Sequence, residues 1–194
     1  MEKNIVPQSY GVSQESREKL NGHKGMLVFF TGLSGSGKST LANILEERLH
    51  RNGVHTFVLD GDNMRYGINK DLSFDPEARK ENIRRIAEIS KLFVNAGIVV
   101  IAAFVAPYDA DRRNIRNTIP QGRYTEVFVN TSLEECEKRD VKGLYAKARS
   151  GEIKNFTGIS APYEAPTNPD IEVSEFLTKE EAVQVIYDHI SVKL

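Results

Sequence analysis

The segment Gly32-Leu33-Ser34-Gly35-Ser36-Gly37-Lys38-Ser39-Thr40 has the residue types and spacing of a phosphate cradle, G-x-x-x-x-G-K-[ST]. Glycines let the backbone curl around an anion with its N–H groups turned inward, and a helix N-terminus adds a dipole that favours negative charge. Lys38 would bring a point charge to the β- and γ-phosphates of a nucleotide, and the Ser39 hydroxyl would reach a magnesium ion. A second cluster, Asp60-Gly61-Asp62, offers two carboxylates that could orient that ion or accept a proton from an attacking hydroxyl. A third group, Arg79, Lys80, Arg84 and Arg85, opens a long helix where cations oppose the dipole, so an anionic ligand is expected for at least Arg79.

Such groups need a scaffold, and the hydrophobic pattern supplies one. An apolar run over 26–30 leads into the cradle and a helical segment over 38–51 leads out. Gly53 then stops the helix, and the β-branched run 54–59 ends at Asp60. Strand, crossover helix and strand build a parallel sheet, and ligands bind at the carboxyl ends of its strands, so Asp60 and Asp62 should emerge beside the cradle. Pro76 suits a first helical turn, and Ile83, Ile86, Ser90 and Phe93 form one stripe, which predicts a helix over 76–96 closed by Gly97. Residues 98–104 are apolar at every position, as in a strand buried on both faces, and are expected to form the central strand.

Further along, a basic helix over 109–119, a strand over 124–129, a short helix over 133–139, a strand over 171–173 and an amphipathic helix over 179–190 are expected. Residues 141–170 change character. A positive helical piece, 142–149, precedes a stretch rich in Gly, Pro, Asn and aromatics, the composition of a mobile lid that keeps water from a transferring phosphoryl group. The expected organisation is a loosely held N-terminal arm over 1–24, with one short helix near 13–20, and a single α/β domain over 25–194. That domain is a P-loop NTPase or kinase-like fold with a central parallel β-sheet flanked by helices.

Composition narrows the function. Lys plus Arg number 26 against 27 Asp plus Glu, so no overall basic field exists for a nucleic acid or an anionic membrane. The longest apolar stretch, 98–106, is too short to span a bilayer, and the first residues lack a secretory layout, which together predict a cytoplasmic protein. Cys136 is the only cysteine, excluding an internal disulfide, and reads as a packed helix residue. His23, in a turn before the first strand, reads as a local hydrogen bonder. On the residues alone, the chain is a P-loop kinase of a small anionic acceptor.

Several motifs in order sharpen this. With Asp60-Gly61-Asp62-Asn63-Met64-Arg65, the run from Arg79 to Arg85, Lys142-Gly143-Leu144-Tyr145, the run from Gly151 to Gly158 and Ala161-Pro162-Tyr163-Glu164-Ala165-Pro166, the chain resembles the adenylylsulfate kinase family over roughly 17–173. The resemblance implies transfer of the ATP γ-phosphate to the ribose 3′-hydroxyl of adenylylsulfate (APS), giving 3′-phosphoadenylylsulfate (PAPS) for sulfate assimilation. It implies that Asp60 is the magnesium-linked base and that Asp62, Arg65, Arg79, Asn82, Val105, Ala106 and Lys154 lie at the APS site. Phe74 and Phe156 would sandwich the adenine, since aromatic faces stack on a base. Lys142 and Lys147 would belong to the lid. It also suggests a homodimer and a functional association with ATP sulfurylase.

The chain departs from the family pattern in two places. The usual Phe-Ile-Ser-Pro-Tyr-Arg after the central strand is here Phe104-Val105-Ala106-Pro107-Tyr108-Asp109, and the Asp-Arg usually found before Glu-Asn-Ile-Arg-Arg is Ala78-Arg79. The serine is absent and an arginine has become an aspartate. Two other functions remain open on the residues: a P-loop kinase of a different small acceptor, and a non-catalytic nucleotide-sensing domain.

Overall fold

The computed structural model describes residues 6–194. Five strands, β1 (Met26–Thr31), β2 (Thr56–Asp60), β3 (Val99–Ala103), β4 (Tyr124–Asn130) and β5 (Ile171–Ser174), form one sheet. Every pairing is parallel, and the spatial order is β2-β3-β1-β4-β5. Eight helices accompany it among the described residues: α1 (Gln14–Asn21), α2 (Lys38–Arg51), α3 (Gly61–Tyr66), α4 (Pro76–Asn95), α5 (Asp109–Thr118), α6 (Leu133–Arg139), α7 (Leu144–Arg149) and α8 (Lys179–Ser191). The α/β architecture, the long α4 with Pro76 at its first turn, and the fully buried β3 follow the sequence pattern.

The central strand, however, is β1, with β3 beside it. Both are buried at every position and, apart from Thr31 at the end of β1, apolar, so composition could not rank them. Alternation divides β1 between the two faces of the sheet. Met26, Val28 and Phe30 pack under α2 and α8, while Leu27 and Phe29 pack under α4 and α5. Each large apolar side chain so buried contributes roughly 1.5–3 kcal/mol.

The two layers decide where a ligand goes. The chain leaves β1 toward α2 on one face, but leaves β2 and β3 toward α4 and α5 on the other. A crevice therefore opens at the carboxyl ends of the strands, where the connections part. The cradle is on one lip of it and α3, α4 and the segment after β3 are on the other.

Of the loosely held arm expected over 1–24, residues 1–5 lie outside the described residues and 6–12 are exposed with no helix or strand, but the part from Ser13 onward is docked on the domain. Ser13 caps α1 by accepting from the Ser16 amide, and Gly22, at φ 75°, ends it. Glu18 is buried: its Oε1 accepts from the Gly25 amide at 3.0 Å and its Oε2 from Arg123 Nη2 at 2.9 Å. Asn21 Nδ2 donates to Gly97 O at 3.0 Å. A very polar helix is thus fixed through side-chain bonds to distant segments rather than through an apolar face. His23 is buried too. It bonds locally near the Lys24 carbonyl, and its Nε2 also accepts the His55 amide at 2.9 Å, joining the approach to β1 with that to β2.

Candidate active site

The cradle folds as its glycines require. Gly32, Gly35 and Gly37 have φ of 151°, 75° and 108°, and a Cβ on Gly32 would meet Val129 O at 2.6 Å. Two other elements hold the loop: Thr131 Oγ1 donates to Ser36 O at 3.0 Å, and Tyr145 Oη, from α7, donates to Ser34 O at 2.8 Å. Lys38 curls back over the loop, donating to Gly32 O at 2.9 Å and Leu33 O at 2.6 Å. Burial pushes its pKa down to about 8, against the opposing pull of Cys136 and Asp60. A desolvated ammonium held among carbonyls is ready to exchange them for phosphate oxygens. Leu33, Ser36 and Thr40 complete the same turn and the first turn of α2.

Beside it, the Ser39 hydroxyl donates to Asp60 Oδ2 at 2.7 Å. The other oxygen of Asp60 caps α3 by accepting the Asp62 amide at 3.0 Å, which fixes the carboxylate at the end of β2. Two hard oxygen donors side by side suit a magnesium ion. No cluster of three or more His, Cys, Asp or Glu side chains that could hold a metal exists among the described residues. The Ser39–Asp60 pair fits an ion that keeps several waters and takes its remaining ligands from substrate phosphates.

Asp62 and Arg65 lie on α3, and Arg79 and Asn82 on α4. Asp62 forms an ion pair with Lys142, spanning from α3 to the segment before α7. The Arg65 guanidinium lies 4.2 Å from the centroid of the Phe74 ring, and its Nη1 donates to Ser73 O at 2.7 Å. Phe74 itself is 63% exposed, far too open for a core residue. Arg79 acts as a clip: Nε donates to Phe74 O at 2.9 Å, Nη1 to Thr157 Oγ1 at 2.7 Å and Nη2 to Asn155 O at 2.6 Å. The residues on either side of Phe156, Asn155 by its carbonyl and Thr157 by its hydroxyl, are thereby tied to the backbone of Phe74. Phe156 is half-buried and meets the Tyr145 ring edge-on at 5.0 Å.

Asn82 is buried and accepts from Asn69 Nδ2 at 2.9 Å. Lys147 pairs with Glu152 at 3.4 Å within the segment 141–170, and Lys154 is exposed with no ion pair to any described residue. Of the cations at the start of α4, Arg84 and Arg85 pair with Glu81, and Arg85 also with Asp71, so these two are neutralised on the surface.

Behind β3, Val105 O accepts from Thr31 Oγ1 at 2.7 Å, and that hydroxyl also lies 3.0 Å from Tyr163 Oη. Ala106 is buried and has φ 41°. Asp109 is in the first turn of α5, where a negative charge is favourable, and its Oδ2 is 2.9 Å from Arg113 Nη1. The aspartate that replaces the family's arginine is therefore neutralised by its own helix. Cys136 is fully buried, as expected, and its backbone underlies Gly35.

Thr31, Arg112 and Glu126 belong to none of the site motifs. Thr31 precedes the first glycine of the cradle, and Arg112 and Glu126 are charged residues on segments whose burial only the fold reveals.

A family model for adenylylsulphate kinase matches residues 24–174. The chain belongs to the adenylylsulfate kinase family. It is 54% identical over 187 residues to a probable adenylyl-sulfate kinase of Halalkalibacterium halodurans, covering 96% of this chain and 93% of that one. It is 52% identical over 191 residues to an adenylyl-sulfate kinase of Oceanobacillus iheyensis, covering 98% and 96% of the two chains. Among solved structures it resembles the Mycobacterium tuberculosis APS kinase CysC, in complex with AMPPNP and APS, with a TM-score of 0.83 and 42% identity over 87% of this chain and 98% of that one. Among the described residues no helix is long and apolar enough to cross a membrane.

Proposed function

We propose that this chain transfers the γ-phosphoryl group of ATP to the ribose 3′-hydroxyl of adenylylsulfate, producing PAPS and ADP. The observation that carries this is the Ser39–Asp60 hydrogen bond of 2.7 Å, which joins the phosphate cradle to a carboxylate on the acceptor side in a chain of this family. Gly32 to Thr40 would hold the phosphates of ATP, with Lys38 neutralising charge on the transferring group. The 3′-oxygen bonds to the γ-phosphorus as the bond to the β–γ bridging oxygen breaks, and the hydroxyl proton passes to Asp60. Ser39 and Asp60 are the residues that would hold magnesium, which would supply positive charge to offset that of the phosphates.

On the other lip, Phe74 and Phe156 would stack on the adenine, with Arg79 setting their separation. Asp62, Arg65, Asn82, Val105, Ala106 and Lys154 would complete the APS site, and residues 141–170, with Lys142 and Lys147, would act as the lid. Ala106 has no hydroxyl to phosphorylate, and positioning plus charge needs no covalent relay, so the transfer is direct and in line. A homodimer, functional association with ATP sulfurylase and a cytoplasmic setting belong to the same proposal and rest on family membership. A coupled assay with ATP, magnesium and adenylylsulfate, run against shikimate, gluconate and nucleoside monophosphates, tests it. Activity on one of those acceptors with none on adenylylsulfate would overturn it.

A further inference from the structure

The segment that follows β3 is held in a conformation its sequence disfavours. Ala106 has a Cβ yet sits at φ 41°, in the left-handed region that side chains other than glycine seldom adopt. Pro107 follows it, and a residue before proline is steered further toward extended backbone at negative φ. Strain of this kind persists only where the surroundings over-determine it.

The surroundings here converge on one buried guanidinium. Arg112, 2% exposed, donates from Nη1 to Ala106 O at 2.8 Å and from Nη2 to Glu164 O at 2.7 Å. Glu164 answers along the same seam: its amide donates to Pro107 O at 2.8 Å, and its Oε2 accepts the Asp109 amide at 2.7 Å. Thr31 Oγ1 pins the neighbouring Val105 carbonyl and is itself 3.0 Å from Tyr163 Oη. Underneath, Glu126 Oε1 lies 3.2 Å from Arg112 Nε, although neither atom makes an aligned hydrogen bond. That carboxylate supplies countercharge, while the two Nη groups perform the geometric work. A planar fork can reach two carbonyls on separate segments at once, which an ammonium on a flexible stem cannot reproduce.

We infer that Arg112 is a positioning residue for APS. It holds Ala106 in its left-handed conformation by tying that carbonyl to the segment around Glu164, and so couples the acceptor loop to residues 163–164 and, through Thr31, to the entrance of the cradle. The inference rests on the proposed reaction, because it takes Val105 and Ala106 to line the APS site.

The test is a cycle of Arg112→Lys, Ala106→Gly and the double variant, each assayed for KM of both substrates, kcat and thermal stability. Arg112→Lys should raise KM for adenylylsulfate about tenfold, the loss of one charge-assisted hydrogen bond, while KM for ATP stays within about twofold. Ala106→Gly alone sets the reference for the coupling, because it changes a residue that lines the site as well as relieving its backbone. In the double variant it should restore part of the lost affinity, since glycine enters the left-handed region without support. A rise in both KM values together, or substitutions whose effects simply multiply, would overturn the inference. If Arg112→Lys does not fold, Arg112→Gln combined with Glu126→Gln removes both buried charges and is judged by the same KM comparison. Wild-type protein inactive on adenylylsulfate but active on another acceptor would instead overturn the proposed reaction, so the two failures are distinguishable.

Discussion

Replacing Lys38 by methionine should stabilise the nucleotide-free protein while destroying its activity. Lys38 is buried, and its pKa falls from 10.5 to about 8 chiefly because burial disfavours the charged form. At about 1.36 kcal/mol for each power of ten in proton affinity, keeping it protonated at pH 7 costs the fold roughly 3 kcal/mol. Removing it takes one donor from Gly32 O and one from Leu33 O, which keeps the Ser36 amide at 3.2 Å, and these losses offset about 1 kcal/mol each. The net gain is about 1–2 kcal/mol, or about 2–8 °C in Tm for a domain of this size.

Two comparisons isolate the cause. Saturating ATP with magnesium stabilises the wild type by about 2.7 kcal/mol at a hundred times Kd, whereas the variant lacks the phosphate contact, so the order of Tm should reverse. The pH dependence has a definite sign. Between about 8 and 10.5 the unfolded chain still binds a proton that the folded chain has released, so wild-type stability rises relative to the variant across that window. Scanning fluorimetry or urea titration at pH 7 and pH 10, with and without nucleotide, reads both effects, and kcat should fall about a thousandfold. A variant less stable than wild type at pH 7 without nucleotide would refute the reasoning, showing that the bonds to the loop carbonyls outweigh the burial of charge. A gain that persisted above pH 10.5 would do the same.

Phe74→Ala and Phe156→Ala should each raise KM for adenylylsulfate far more than KM for ATP, because stacking is worth about 1–3 kcal/mol per base; equal effects on both substrates would point to packing. Transfer from a chiral γ-phosphate should invert configuration with sequential initial-rate patterns, and retention, or protein labelled by ATP alone, would reveal a covalent intermediate. Glu18→Ala should lower stability by about 2–4 kcal/mol without changing either KM, since it leaves Arg123 and the Gly25 amide unpaired. An unchanged Tm would show that α1 is not held through that carboxylate.

What was legible in the sequence was local. The cradle could be read because glycine spacing, a following helix and the Lys38-Ser39 pair are contiguous, and the chemistry uses backbone groups that any such segment presents. Asp60 could be placed because an apolar run ending in Asp-Gly must stop at a strand's carboxyl end. Helix α4 could be bounded because a proline, a stripe of period 3.6 and a glycine agree.

Tertiary structure decided what depends on residues far apart in the chain. Strand order was hidden because β1 and β3 carry the same apolar pattern, and only the packing of helices on the two faces ranks them. The docking of α1 was hidden because its side chains reach Gly97 and Arg123, contacts that hydrophobic periodicity does not register. Ala106 is the sharpest case. Its residue type and the proline after it both argue for negative φ, yet Arg112, Thr31 and the segment 163–164 converge on its loop from separate elements and hold it on the other side of zero. A backbone conformation set jointly by the helix that follows it and by two distant segments exists only once those segments have been brought together.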